Sequence, residues 1–164
     1  MNGLISPFIE PHRGKPAILD TNLLLLYLCD QFDPSLVSSF KRLNCFVKED
    51  ISLLSETVKC FSTLHTTPHV LTEVSNLANS LPKWQKQEWG EFFGKQIKLV
   101  AEEWIPAVDI ASMPVFDLGI TDACLYSLAS KYVILTIDFP LSNQLSSRGL
   151  NVINFNNLRG IKYL

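Results

Sequence analysis

The chain has 164 residues, 47% of them hydrophobic and 18% charged, with 14 Lys and Arg against 16 Asp and Glu for a net charge of −2. That balance excludes a disordered or fibrous chain. It also excludes a protein that holds nucleic acid through bulk positive charge, since such binding needs many Lys and Arg to neutralise phosphates.

At this length one core can bury roughly 70% of the surface an unfolded chain exposes, so packing can hold the fold without a disulfide or structural metal. Cys29, Cys45, Cys60 and Cys124 sit singly and read as reduced, buried thiols. The apolar run from Leu23 to Cys29 is far short of the ~20 residues of a membrane span, and no basic-then-apolar leader opens the chain, which predicts a cytoplasmic protein without a membrane partner.

Residues 1–16, with Pro7 and Pro11 and little periodicity, read as an N-terminal arm in extended form. Residues 17–164 show no repeat, low-complexity tract or long linker and read as a single domain. Ala17, Ile18 and Leu19 predict a strand that stops at Asp20, and Thr21 and Asn22 lead into an apolar helix. A second helix is expected from Pro34 to about Phe46 and a third from Ile51 to Leu64. Thr66, Thr67 and Pro68 make a helix start, and Val70, Val74, Leu77 and Ala78 then share one face.

Beyond Pro82 the aromatic and apolar residues Trp89, Phe93, Ile97, Val100 and Trp104 recur at three- and four-residue spacing, predicting a long amphipathic helix over 83–104. Val108, Asp109 and Ile110 suggest a short strand, residues 121–130 a helix, and residues 133–137, almost all apolar, a buried parallel strand. A helix over 140–148 and a strand over 152–154 complete the pattern. Short apolar strands alternating with helices predict an α/β fold, a three-layer α/β/α sandwich around a mostly parallel central sheet.

In such a sheet reactive groups lie beyond the carboxyl ends of the strands. Asp20 follows the first predicted strand and Asp138 the strand over 133–137, so both overhang one edge. Asp122 falls in the first turn of its helix on the face of Leu125 and Tyr126, and Glu73 borders the apolar stripe of its helix. Taken singly, each acid reads as a cap, a turn residue or a solvated side chain. Together, four carboxylates in one crevice repel one another unless positive charge intervenes. Few lysines stand near them in sequence, and a hard divalent cation, Mg²⁺ or Mn²⁺, is the simplest compensation. An acidic metal site on a near-neutral protein points to phosphodiester hydrolysis.

The runs Ile18-Leu19-Asp20-Thr21-Asn22, His69-Val70-Leu71-Thr72-Glu73-Val74, Gly119-Ile120-Thr121-Asp122-Ala123 and Leu135-Thr136-Ile137-Asp138-Phe139 carry a resemblance in this order. With them the chain resembles the PIN-domain nucleases, and among these the VapC-type toxins, over residues 17–155. The resemblance implies a metal-dependent endoribonuclease in which Asp20, Glu73, Asp122 and Asp138 match the acidic quartet. Asn22 and Thr136 match polar positions that support the metal or position substrate, and Asp117 is a candidate additional acid. It further implies products with 5′-phosphate and 3′-hydroxyl ends, an RNA substrate, an antitoxin protein as partner of a toxin, and a homodimer, for which the aromatic helix offers a face.

Lys41, Arg42, Lys48, Arg148 and Arg159 are candidates to meet substrate phosphates, each also readable as a solvated surface charge. The competing reading is a catalytically silent PIN-like module for protein binding, with Trp84, Trp89, Phe92, Phe93 and Trp104 as its surface. A phosphatase of the haloacid dehalogenase type would want a second Asp at the position of Asn22.

Overall fold

Ala17, Ile18 and Leu19 have no exposed side and form strand β1 (Ala17–Leu19) at the centre of a parallel sheet, as continuous apolar runs do when helices cover both faces. In the computed structural model, which describes residues 7–162, the chain continues through α1 (Thr21–Phe32), α2 (Leu36–Ser39), α3 (Lys48–Val58), β2 (Leu64–Thr66), α4 (Pro68–Ala78) and α5 (Lys83–Ile97). Then follow β3 (Ala101–Glu102), α6 (Ala107–Ile110), α7 (Ile120–Leu128), β4 (Val133–Thr136), α8 (Phe139–Ser147), β5 (Val152–Asn154) and α9 (Phe155–Lys162).

The strands lie in the order β3-β2-β1-β4-β5, and all four pairings are parallel. The architecture is α/β, consistent with a three-layer α/β/α sandwich. The order reverses between β1 and β4, and the crevice beyond their carboxyl ends is where such sheets place their ligands. Leu19 pairs with Leu135, so Asp20 comes level with Thr136 at that edge.

Several predicted elements are present: β1, α1, α4 with Val70, Val74 and Ala78 buried, α7, β4, α8 and β5. Elsewhere the structure corrects the sequence. The helix expected from Pro34 to about Phe46 splits into α2 and a 3-10 turn over Lys41–Leu43, with Phe40 extended between them. Ser38 and Ser39 hydroxyls donate back to the Ser35 carbonyl, the local competition that makes serines poor helix interiors. The third helix starts earlier, at Lys48, because the Asp50 carboxylate accepts from the Val47 amide at 2.9 Å. Leu64 belongs instead to β2, a strand that periodicity did not reveal.

The aromatic helix ends at Ile97, short of Trp104. Trp89 and Phe93 pack inward, but residues 101–102 pair with β2 through His65 and Thr66, and Trp104 is 72% exposed. Residues 108–110 are helical in α6, not a strand, and α9 was not anticipated. Of the residues read as an extended arm, Ile9 is buried and Glu10–His12 form a 3-10 turn. Gly14, with φ of +74°, turns the chain there so that its amide donates to the Cys60 carbonyl. Residues 1–6 lie outside the described residues. All four thiols are free, but only Cys29 and Cys124 are buried, while Cys45 is exposed. No described helix is long and apolar enough to cross a membrane.

Candidate active site

Asp20 ends β1 and starts α1, and each of its atoms is used. Its amide donates to the Leu135 carbonyl at 2.9 Å, continuing the sheet. Its Oδ1 accepts from the Leu23 amide at 2.8 Å as helix cap. Its Oδ2 accepts from the Thr136 hydroxyl at 2.5 Å and the Ile137 amide at 3.0 Å. The residue is 5% exposed. Burial raises its pKa above the ordinary Asp value against the pull of these three donors, and the neighbouring Asp138 adds to the rise.

Asp138 repeats the arrangement at the start of α8, with Oδ1 accepting from the Leu141 amide at 2.7 Å. Its own amide donates to the Thr136 hydroxyl at 2.8 Å. Thr136 therefore ties the two acids together, donating to one and accepting from the backbone of the other. Thr136→Val keeps the shape and removes both bonds; where the two acids serve as metal ligands, Mn²⁺ affinity is expected to fall roughly 10–100-fold, the usual cost of losing a group that orients such a ligand. Calorimetric titration of the variant beside wild type checks this.

Glu73, on α4, is held by two threonines. The Thr21 hydroxyl donates to Oε2 and the Thr121 hydroxyl to Oε1, each at 2.7 Å. Those threonines occupy the first turns of α1 and α7, so Glu73 bridges the two helix starts. Sequence reasoning missed both, although each stands beside a candidate acid, in Asp20-Thr21 and Thr121-Asp122. Gly119, with φ of +123°, begins α7 in a conformation that L side chains rarely adopt.

Asp122 follows in the first turn of α7. Burial, then the charges of Asp138, Glu73 and Asp20, push its pKa up to about 7 from 3.8, so the four acids sense one another. Between about pH 4 and about pH 7 the folded protein keeps a proton here that the unfolded chain has released. The stability tied to Asp122 is therefore full at low pH and lost as pH rises through about 7. In EDTA, Asp122→Asn should melt above wild type at pH 8, and the gap should close as pH falls to 4. Melting curves across that range check it, and a gap independent of pH would contradict it.

The four acids line a single pocket of about 180 Å³, together with Asn22, Thr21, Thr121, Leu118, Gly119 and Leu125, and no Lys, Arg or His lines it. Asn22 reaches this pocket, whereas Asp117 is exposed in the 3-10 turn before α7 and does not line it. Among the described residues no three His, Cys, Asp or Glu side chains close around a common metal position. Both Glu73 oxygens accept from threonines, and Asp20 and Asp138 each cap a helix. The donor set still fits Mg²⁺ or Mn²⁺ in kind, being all hard oxygen, mutually repulsive and uncompensated by any lining cation.

No protein-family model matches the chain, and no curated protein matches it in sequence.

Proposed function

We propose that this protein is a Mg²⁺- or Mn²⁺-dependent endoribonuclease of the PIN-domain kind, working in the cytoplasm on RNA, with a toxin role and an antitoxin partner as the family resemblance suggests. One observation carries the reading. Asp20, Glu73, Asp122 and Asp138, scattered through the chain, line one cation-free pocket at the crevice between β1 and β4.

In this reading Asp20, Asp122 and Asp138 would hold the ion, with Glu73 binding directly or through water. Such an ion supplies Lewis-acid charge that lowers the pKa of an attacking water and offsets negative charge developing at the scissile phosphate. The chain's own residues do the rest. Thr136 and the Ile137 amide fix the direction of Asp20, so its carboxylate does not reorganise during reaction. Thr21 and Thr121 hold Glu73 at the rim between two helix starts. Asn22, in the pocket wall, offers an amide to orient a phosphate or ribose oxygen.

Incubation of the purified protein with defined RNAs and single-stranded DNA, in Mg²⁺, Mn²⁺ or EDTA, tests the proposal. Metal-dependent cleavage of RNA to 5′-phosphate and 3′-hydroxyl ends is expected, and cleavage that persists in EDTA would contradict it. The second reading, a silent PIN-like binding module, draws support from the internal bonding of Glu73, whose two oxygens are both engaged. A protein with the acids intact and no metal-dependent cleavage of any RNA would favour that module.

A further inference from the structure

A second pocket, of about 650 Å³, lies at the far end of α1 from the acids. Asp20 caps the start of that helix and Asp33 its end. The helix has 12 residues and is therefore about 18 Å long. The walls are the turn over Lys41–Leu43, α2 and the first turn of α5. Lys41 and Arg42 line it, both exposed and neither engaged in an ion pair among the described residues. Trp84 lines it as well, with 73% of its surface open to solvent.

Gln85 holds Asp33 in place beside the pocket. Gln85 is 4% exposed, and its Nε2 donates to Asp33 Oδ2 at 3.2 Å. Asp33 Oδ1 accepts from the Ser35 amide at 3.0 Å. A carboxylate can only accept, so the amide orientation is fixed, and the Gln85 oxygen is left buried without a partner.

We infer that this pocket binds a nucleotide: the base stacks on the Trp84 indole, and the phosphate lies toward Lys41 and Arg42. Two cations outweigh the single carboxylate of Asp33, whose oxygens already face inward donors. Aromatic faces beside cations are the usual means of holding single strands without bulk positive charge, in keeping with a net charge of −2. The nucleotide is either free or part of an RNA strand. For RNA the inference deepens the ribonuclease reading and rests on it, since about 18 Å corresponds to roughly five stacked nucleotides at ~3.4 Å each. One strand would then reach from this pocket to the acids.

Equilibrium binding by the full chain in EDTA tests the inference. The probes are 5′-AMP, 5′-UMP, inorganic phosphate, hexaglutamate and a labelled single-stranded RNA octamer, read by tryptophan quenching and by anisotropy. Trp84→Ala and the Lys41→Ala/Arg42→Ala double variant remove exposed side chains, so both should fold. The first is expected to weaken binding roughly 5- to 150-fold, as loss of a base-stacking partner does. The second should weaken it and flatten its salt dependence. Trp104→Ala, which removes another exposed indole, should bind as wild type.

Mononucleotides binding as tightly as the octamer identify a free nucleotide, and binding of the octamer alone identifies an RNA strand; either supports the inference. Phosphate or hexaglutamate binding as tightly as the nucleotides, or nucleotide binding untouched by both variants, or no nucleotide binding at all, would overturn it. Binding that responds to Trp84 in a protein that cleaves no RNA would leave the inference standing while the ribonuclease reading fell.

Discussion

Asp138→Asn and Asp20→Asn are each expected to lower kcat/KM for RNA cleavage about a thousandfold or more, about 4 kcal/mol of transition-state stabilisation. The substitutions are nearly isosteric and remove a charge, and the folding consequences can be read from the hydrogen bonds. In both variants the retained amide oxygen can still cap the helix, from the Leu23 amide at Asp20 and from the Leu141 amide at Asp138. Asp138→Asn disturbs no other hydrogen bond to this carboxylate among the described residues and is the cleaner test. Asp20→Asn also turns an NH₂ toward the Ile137 amide, which has no way to rotate, so part of the gain from removing a buried charge is offset. Circular dichroism with single-turnover cleavage separates lost chemistry from lost structure. Full activity in Asp138→Asn would remove the acids from the reaction.

Arg159→Met is expected to be the most destabilising single change outside the apolar core. Asp50 is completely buried, and Arg159 on α9 forms an ion pair with its Oδ2 at 3.1 Å while also donating to the Cys45 carbonyl at 3.0 Å. The same carboxylate oxygen accepts from the Val47 amide and starts α3. One guanidinium therefore fastens α9 to the beginning of α3. Its removal takes an ion-pair partner from a fully buried carboxylate, and breaking such a pair typically costs about 3–5 kcal/mol. For a domain of this size that corresponds to a fall in melting temperature of roughly 6–20 °C. The double variant Asp50→Asn/Arg159→Met should recover a large part of the loss, because the neutral amide needs no counter-charge. Scanning calorimetry of the three proteins decides it, and a double variant no more stable than Arg159→Met would show that the charge is not what matters.

The parts of the fold legible in the sequence were those where local pattern and burial agree. β1 and β4 are almost wholly apolar because helices cover both faces, and each is followed within two residues by an aspartate that caps the next helix. That coincidence made Asp20 and Asp138 visible. β2 escaped because a three-residue strand containing His65 has no detectable period, and its ladder partner β3 has two residues. The 3.6-residue spacing that ran on to Trp104 was accidental beyond Ile97, since pairing of residues 101–102 with β2 overrides it. Within the pocket, the acids declared themselves by type, whereas Thr21 and Thr121 did not. A threonine in a first helical turn is ordinary, and only the fold brings both hydroxyls to Glu73.

Mn²⁺ titration by calorimetry of the wild-type protein, Asp138→Asn and Asp122→Asn at neutral pH tests whether these four carboxylates act as one divalent-cation site. Saturable binding by the wild type that is lost or greatly weakened in both variants is the predicted result. Absence of binding by the wild type, or equal binding by all three, would contradict it.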